Sequence, residues 1–159
     1  METKYSGPLA DNQSKADFFY FKASGFSMWP FLSDGERVIV KKAPISRLRR
    51  GDIVLYTQGE KIVCHRLIKM VKGISGIILF TRGDNSFSHP EPIEENMYIG
   101  KAVAIERKGR LTDLDSFFFR GLNPLIIIIG PFFGMAARML KRILKSRTGE
   151  IIFLSKREL

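Results

Sequence analysis

Cysteine is almost absent from this chain: Cys64 stands alone among 159 residues. One cysteine excludes an internal disulfide and a metal cluster built from thiolates. Two histidines, one tryptophan and four tyrosines are also sparse beside thirteen phenylalanines. Residues 1–17 lack the apolar run of a secretory signal or a leading membrane span. Gly7, Pro8, Asp11, Asn12 and Ser14 instead predict a flexible lead-in. Zinc-finger spacing, an aromatic RNA-binding signature and a basic heptad region are missing as well, which argues against nucleic acid as a partner.

What is present is a chain of one domain's length, 45% apolar and 26% charged, ordinary for a globular protein. Its formal charge of +10 is unevenly spread: residues 1–120 carry 19 basic and 14 acidic side chains, and residues 121–159 carry 7 and 2. The last quarter of the chain therefore holds half the excess, directly behind its most apolar stretch. Basic residues flanking an apolar run fit a membrane surface better than a phosphate clamp.

The middle of the chain reads as short strands separated by turns. Arg37–Val40, Asp52–Tyr56, Lys61–Lys69, Ile77–Thr81 and Tyr98–Glu106 are rich in β-branched residues, and Gly35, Gly51, Gly59, Gly73 and Gly76 punctuate them. That pattern predicts a mainly β barrel or sandwich over 18–115. Phe18–Phe21 is an aromatic patch, either a strand or a membrane-touching edge. After Asp115 the composition shifts, and 116–159 reads as an apolar and basic amphipathic tail. Seventeen uncharged residues lie between Arg120 and Arg138, at the lower limit for a bilayer span. Pro124 and Pro131 are expected to kink or interrupt a helix there. A re-entrant or interfacial segment, a short span, and a buried core or oligomer interface are the three readings. Apolar residues from Phe132 to Leu144 alternate with Arg138, Lys141, Arg142 and Lys145 in the pattern of a basic amphipathic helix.

Three short boxes carry candidate chemistry. Gly25-Phe26-Ser27-Met28-Trp29-Pro30 holds a serine beside a turn-forming glycine. A serine hydroxyl needs a base to remove its proton and donors to hold the oxyanion. Taken alone, Ser27 in this box is more simply a turn serine capping local amides. His65, 38 residues on in Val63-Cys64-His65-Arg66-Leu67, supplies a group that titrates near neutrality and can act as base and then acid. Cys64 is expected to be a buried core residue. It is no partner for His65, because neighbours on a strand point to opposite faces. Arg66 should likewise face away from His65. Thr81-Arg82-Gly83-Asp84-Asn85-Ser86 is the third box, a turn bearing an acid.

In this order and spacing, the boxes between Gly25 and Glu106 resemble the type I signal peptidases. The resemblance is closest to the branch of archaea, spore-forming bacteria and the endoplasmic reticulum, in which histidine replaces the catalytic lysine. It implies a signal-peptidase/LexA-like β fold and a serine endopeptidase that needs no cofactor or metal. Ser27 would be the nucleophile, His65 the general base and a signal or leader peptide the substrate, bound extended against strand edges. In that family an acid about six positions after the box aspartate orients the histidine. Here the neighbourhood reads Ser88-His89-Pro90-Glu91-Pro92, so Glu91, one position late, or Asp84 would take the role, or the enzyme would work as a Ser–His pair. His89 ranks below His65 as a base. The Ser27 amide would hold the oxyanion, and Gly25 occupies the place of a family hydroxyl, leaving Ser24 as the nearest one. Asp52 matches a further box as a turn-former. Membrane association follows from the resemblance and the tail together. Two other readings stand beside it: a catalytically inactive peptide- or membrane-binding module, and a LexA-type self-cleaving regulator. The latter use lysine as base behind a DNA-binding domain, for which 26 residues before Ser27 are too few.

Overall fold

The computed structural model describes residues 17–74, 76–132, 135, 136 and 139. Eight strands form one antiparallel sheet: β1 Phe18–Lys22, β2 Arg37–Lys41, β3 Ile53–Gln58, β4 Lys61–Gly73, β5 Gly76–Arg82, β6 Glu91–Glu94, β7 Tyr98–Arg107 and β8 Arg110–Asp113. Seven of them run in the order β1-β2-β7-β3-β4-β5-β6, and β8 pairs with β7. The sheet curls into a half-barrel and one helix follows it, as the mainly β reading expects. Phe18–Phe21 forms most of strand β1, at one end of the strand order. The sequence pattern does not mark Glu91–Glu94 or Arg110–Asp113 as strands. Each is four residues long, and Pro92 and the charged ends mask the alternation.

The interior β-branched runs are explained by burial on both faces of the sheet. Val38, Val40, Ile53, Leu55, Cys64, Ala102 and Ile105 pack on one face. Val54, Tyr56, Leu67, Leu79 and Ile93 pack on the other with Ile45 and Leu48 from the β2–β3 connection. Alternate residues of β3 therefore enter different clusters, as a period of two requires.

Strand β4 organises the site. Its residues 61–66 pair with β3 and its residues 66–73 with β5. Arg66 is the crossover, and the ladder slips between Leu67 and Lys69. Among the described residues, the edge of Lys61–His65 opposite β3 is left without a strand partner.

Residues 117–132 are helical (α1), so Pro124 does not end the helix as expected. Its missing N–H costs one intrahelical bond, while tertiary contacts hold the helix down. Asn123, Ile126 and Ile127 are buried, and Phe118, Leu125, Ile128 and Phe132 are exposed. Among the described residues, no helix is long and apolar enough to cross a membrane. Most of the stretch expected as a basic amphipathic helix, and the lead-in before Asp17, lie outside the described residues.

Candidate active site

Ser27 lies in the connection between β1 and β2. Gly25 adopts φ +87°, a conformation glycine tolerates at little cost, and its amide donates to Asp34 Oδ1 at 2.8 Å. Backbone bonds from Ala23 N to Glu36 O and from Gly35 N to Ala23 O, at 2.8 and 2.9 Å, close the loop at its base. Met28 and Leu32 are buried in the core cluster, so the loop is pinned on either side of its apex. Ser27 itself is exposed. Its amide makes no hydrogen bond among the described residues, which leaves that N–H available to an incoming oxyanion.

The third box grips this loop. Asn85 N donates to Ser27 O at 2.8 Å and Asn85 Nδ2 to Phe26 O at 3.0 Å. A Cβ on Gly83 would lie 2.6 Å from the Ser27 carbonyl oxygen, so only glycine permits this approach. Asp84 points the other way, and both its oxygens are taken by Arg66: Nε to Oδ1 at 2.7 Å and Nη2 to Oδ2 at 2.6 Å. Arg66 Nη1 donates to Gly51 O at 2.8 Å and to Asn123 Oδ1 at 2.9 Å. The pair is buried, and charge-assisted bidentate bonds of this kind are the strong ones. α1 closes over it, since a Cβ on Gly130 would lie 2.9 Å from Asp84 O. Arg82 Nη2 adds a bond to Ile127 O at 2.8 Å. Arg66 thus orders the turn around Asp84, and Asp84 holds Arg66, not His65.

His65 lies half-buried on the opposite face of β4. Together with Ser27, Ser24, Cys64 and Glu91 it lines a groove of about 820 Å³ between the Ser27 loop and the unpaired edge of β4. No hydrogen bond joins Ser27 to His65. The Nδ1 of His65 meets Tyr56 Oη at 3.1 Å, and Thr81 Oγ1 lies 3.3 Å from the same hydroxyl. The Tyr56 and His65 rings stand edge-on at 6.1 Å. Burial pushes the His65 pKa below its ordinary value, against the raising effects of Glu91 and then Asp84. The imidazole is therefore neutral near pH 7, the form a base needs.

Glu91 enters the groove, but its Oε2 accepts from Gln58 Nε2 at 3.4 Å and makes no hydrogen bond to His65. His89 is exposed in the β5–β6 connection and does not line the groove. Cys64 is buried, which pushes its thiol up to about 12, so it provides no thiolate. Asp52 shapes its turn by accepting from Arg49 N at 2.8 Å and also pairs with Lys101 at 3.1 Å. No group of three or more His, Cys, Asp or Glu is placed to hold a metal ion among the described residues.

Tyr56 and Thr81 are the residues that the motif reading passes over. Their signal lies in register. With a tight turn at Gly59–Glu60, Val54 stands opposite His65 and Tyr56 opposite Val63. Tyr56 then becomes a diagonal same-face neighbour of His65, within reach of a long side chain.

A curled β sheet with a pinned, exposed serine and a half-buried histidine on one groove defines a serine-peptidase-like fold. The sequence matches the Peptidase S24-like family over residues 2–103, well over half of the chain, and the protein belongs to that family. No curated protein matches it.

Proposed function

We propose that the protein is a serine endopeptidase that cleaves signal or leader peptides, with Ser27 as nucleophile and His65 as general base. The observation that carries this reading is the shared groove. An exposed serine and a neutral histidine flank a channel whose wall is a strand edge lacking a partner among the described residues. An extended peptide laid along Lys61–His65 satisfies that edge by β-addition, with alternate side chains turned toward the protein. Ser24 and Gly25 at the Ser27 end leave space for small residues.

In the first step, His65 Nε2 takes the Ser27 proton while Oγ bonds to the scissile carbonyl carbon. The carbonyl electron pair moves to oxygen, where the Ser27 amide receives it. Collapse expels the amine, which leaves with the proton from Nε2. Water repeats the sequence to release the acyl group. The hydrogen bond between Ser27 and His65 forms as the peptide closes the groove, since catalytic contacts are commonly loose without substrate.

Membrane lipid is the proposed second partner. Phe118, Leu125, Ile128, Phe132, Met135 and Met139 are exposed and recur at intervals of three, four and seven on one side of α1. The basic residues Arg138, Lys141, Arg142 and Lys145 follow in sequence. An exposed apolar row with basic residues close by in the sequence fits an anionic interface.

One observation favours a second reading, a peptide-binding module without turnover: Ser27 and His65 line one groove without a hydrogen bond between them. Incubation with a proteome-derived peptide library, with new amino termini read by mass spectrometry, separates the two. Cuts following small residues support the peptidase. Protection of bound peptides without cuts supports the module, and a cut within this chain alone marks a self-cleaving regulator.

A further inference from the structure

We propose that a second, basic groove receives the phosphate of an anionic phospholipid headgroup. The proposal rests on the lipid partner proposed above for α1, but the groove is a site of its own. It has no lining residue in common with the Ser27 groove.

The connection between β2 and β3 builds it. Ile45 and Leu48 are buried in the core. The 3₁₀ turn Ile45–Arg47 brings residues three apart to one side, so Arg47 and Arg49 are left exposed. Backbone bonds hold the segment in place. Lys42 N donates to Asp17 O at 2.8 Å, Leu48 N to Ile45 O at 3.0 Å and Arg49 N to Asp52 Oδ2 at 2.8 Å. The start of α1 adds Arg120, and the concavity measures about 770 Å³.

Six basic side chains line this groove against two acidic ones, Asp17 and Asp115. Asp115 is engaged by Lys101 at 2.5 Å, and Lys101 also meets Asp52 at 3.1 Å, so this cluster is internally balanced to within one negative charge. Lys41 Nζ lies 5.4 Å from the centre of the Phe18 ring. Among the described residues, Lys42, Arg47, Arg49 and Arg120 have no carboxylate within ion-pair distance. Four cations around one concavity repel each other and lack a protein counter-ion. An anion seated among them relieves that repulsion. Three of the four are arginines, whose planar guanidinium groups donate paired hydrogen bonds to phosphate oxygens.

The apolar neighbours of Arg120 select the carrier of the phosphate. Phe117 and Phe118 are 94% and 69% exposed, and Phe118 belongs to the outer apolar row of α1. A phospholipid uses both features, its headgroup in the groove and its acyl chains beside the row. A nucleic acid backbone would use the cations and leave Leu125 and Ile128 in water.

Flotation with vesicles of phosphatidylcholine, with and without phosphatidylglycerol, tests the site. Arg47→Gln combined with Arg49→Gln is expected to lower partitioning onto the phosphatidylglycerol vesicles roughly 10- to 30-fold, the loss expected of two basic residues at an anionic surface. Partitioning onto phosphatidylcholine alone should not change. Lys42→Gln with Arg120→Gln should act in the same direction, and it keeps the test open if the first pair does not fold. Lys108→Gln with Arg110→Gln removes the same charge from the exposed β7–β8 turn, outside the groove. Its effect should stay below about 2-fold. Equal losses in the groove and turn variants, or a parent that does not float with phosphatidylglycerol, overturn the proposal. Inorganic phosphate added at constant ionic strength should leave flotation unchanged; displacement by it overturns the lipid assignment in favour of free phosphate. Ile128→Glu separates the groove from the α1 row. If that variant floats like the parent while the groove variants do not, the row is removed from the membrane contact and the groove stands.

Discussion

His65 and Arg66 are neighbours on β4 and live in opposite worlds. His65 faces a solvent-filled groove, makes one hydrogen bond through its ring and has its charged form disfavoured by burial. Arg66 faces the interior, where it donates four hydrogen bonds to Asp84, Gly51 and Asn123 and lies 5.5 Å from the Phe31 ring. A period of two places them on opposite faces. The lesson is a division of labour along one strand: a saturated buried ion pair fixes the loops, and a sparsely bonded group is presented to the groove. A buried pair is costly to desolvate and is not in itself a gain in stability. Its effect here is geometric, since it ties β4, the Gly83–Asn85 turn and α1 into one unit that also grips Ser27.

Breaking the buried side should have the largest effect on folding. Asp84→Ala leaves Arg66 uncompensated, and a loss of about 3–5 kcal/mol in unfolding free energy is expected, measured by urea denaturation. A loss below about 1 kcal/mol would mean that the pair is not the anchor described. Gly83→Ala comes next, because its Cβ must displace the Ser27 carbonyl. Overpacking of this kind costs about 1–3 kcal/mol, and cleavage should suffer beyond the loss of folded protein, since the displaced group is the backbone of the proposed nucleophile.

On the groove side the effects are of charge. His65 is faced by Tyr56 from β3, Glu91 from β6 and, behind the strand, Asp84, with Glu60 and Lys61 along the groove. Glu91 raises the His65 pKa against burial. Glu91→Gln removes that contribution, so the pKa should fall further and the acid limb of the kcat/KM profile should move to lower pH. A limb that stays in place would disconnect Glu91 from His65. The smallest effect is expected on the outer row of α1. Ile128, 64% exposed, is placed to give apolar contact to the proposed membrane partner and should add little to folding. Ile128→Glu should leave the melting temperature nearly unchanged and reduce flotation with vesicles of phosphatidylcholine and phosphatidylglycerol. Equal flotation would remove this face from the membrane contact.

Much of the sheet was legible because β-branched runs between glycine turns report strands directly, and the resemblance carried by Ser27, His65 and the Gly83–Asn85 turn located the groove. The helix was harder to read. Pro124 and an uninterrupted apolar run argue against an ordinary docked helix, and nothing local announces that Asn123 will meet Arg66 or that Gly130 will lie against Asp84. Those contacts are long-range and depend on tertiary packing. The acid partner of His65 was sought by spacing from Asp84, along the chain. The group that touches His65 comes instead from across the β3–β4 hairpin, and only strand register reveals it.

The most direct test of the account measures cleavage and unfolding free energy together in Ser27→Ala. Ser27 is exposed and its side chain makes no hydrogen bond among the described residues, so stability should change by less than about 0.5 kcal/mol. Cleavage of any peptide that the parent cuts should disappear. Retained cleavage in a correctly folded Ser27→Ala protein would contradict the account at its centre.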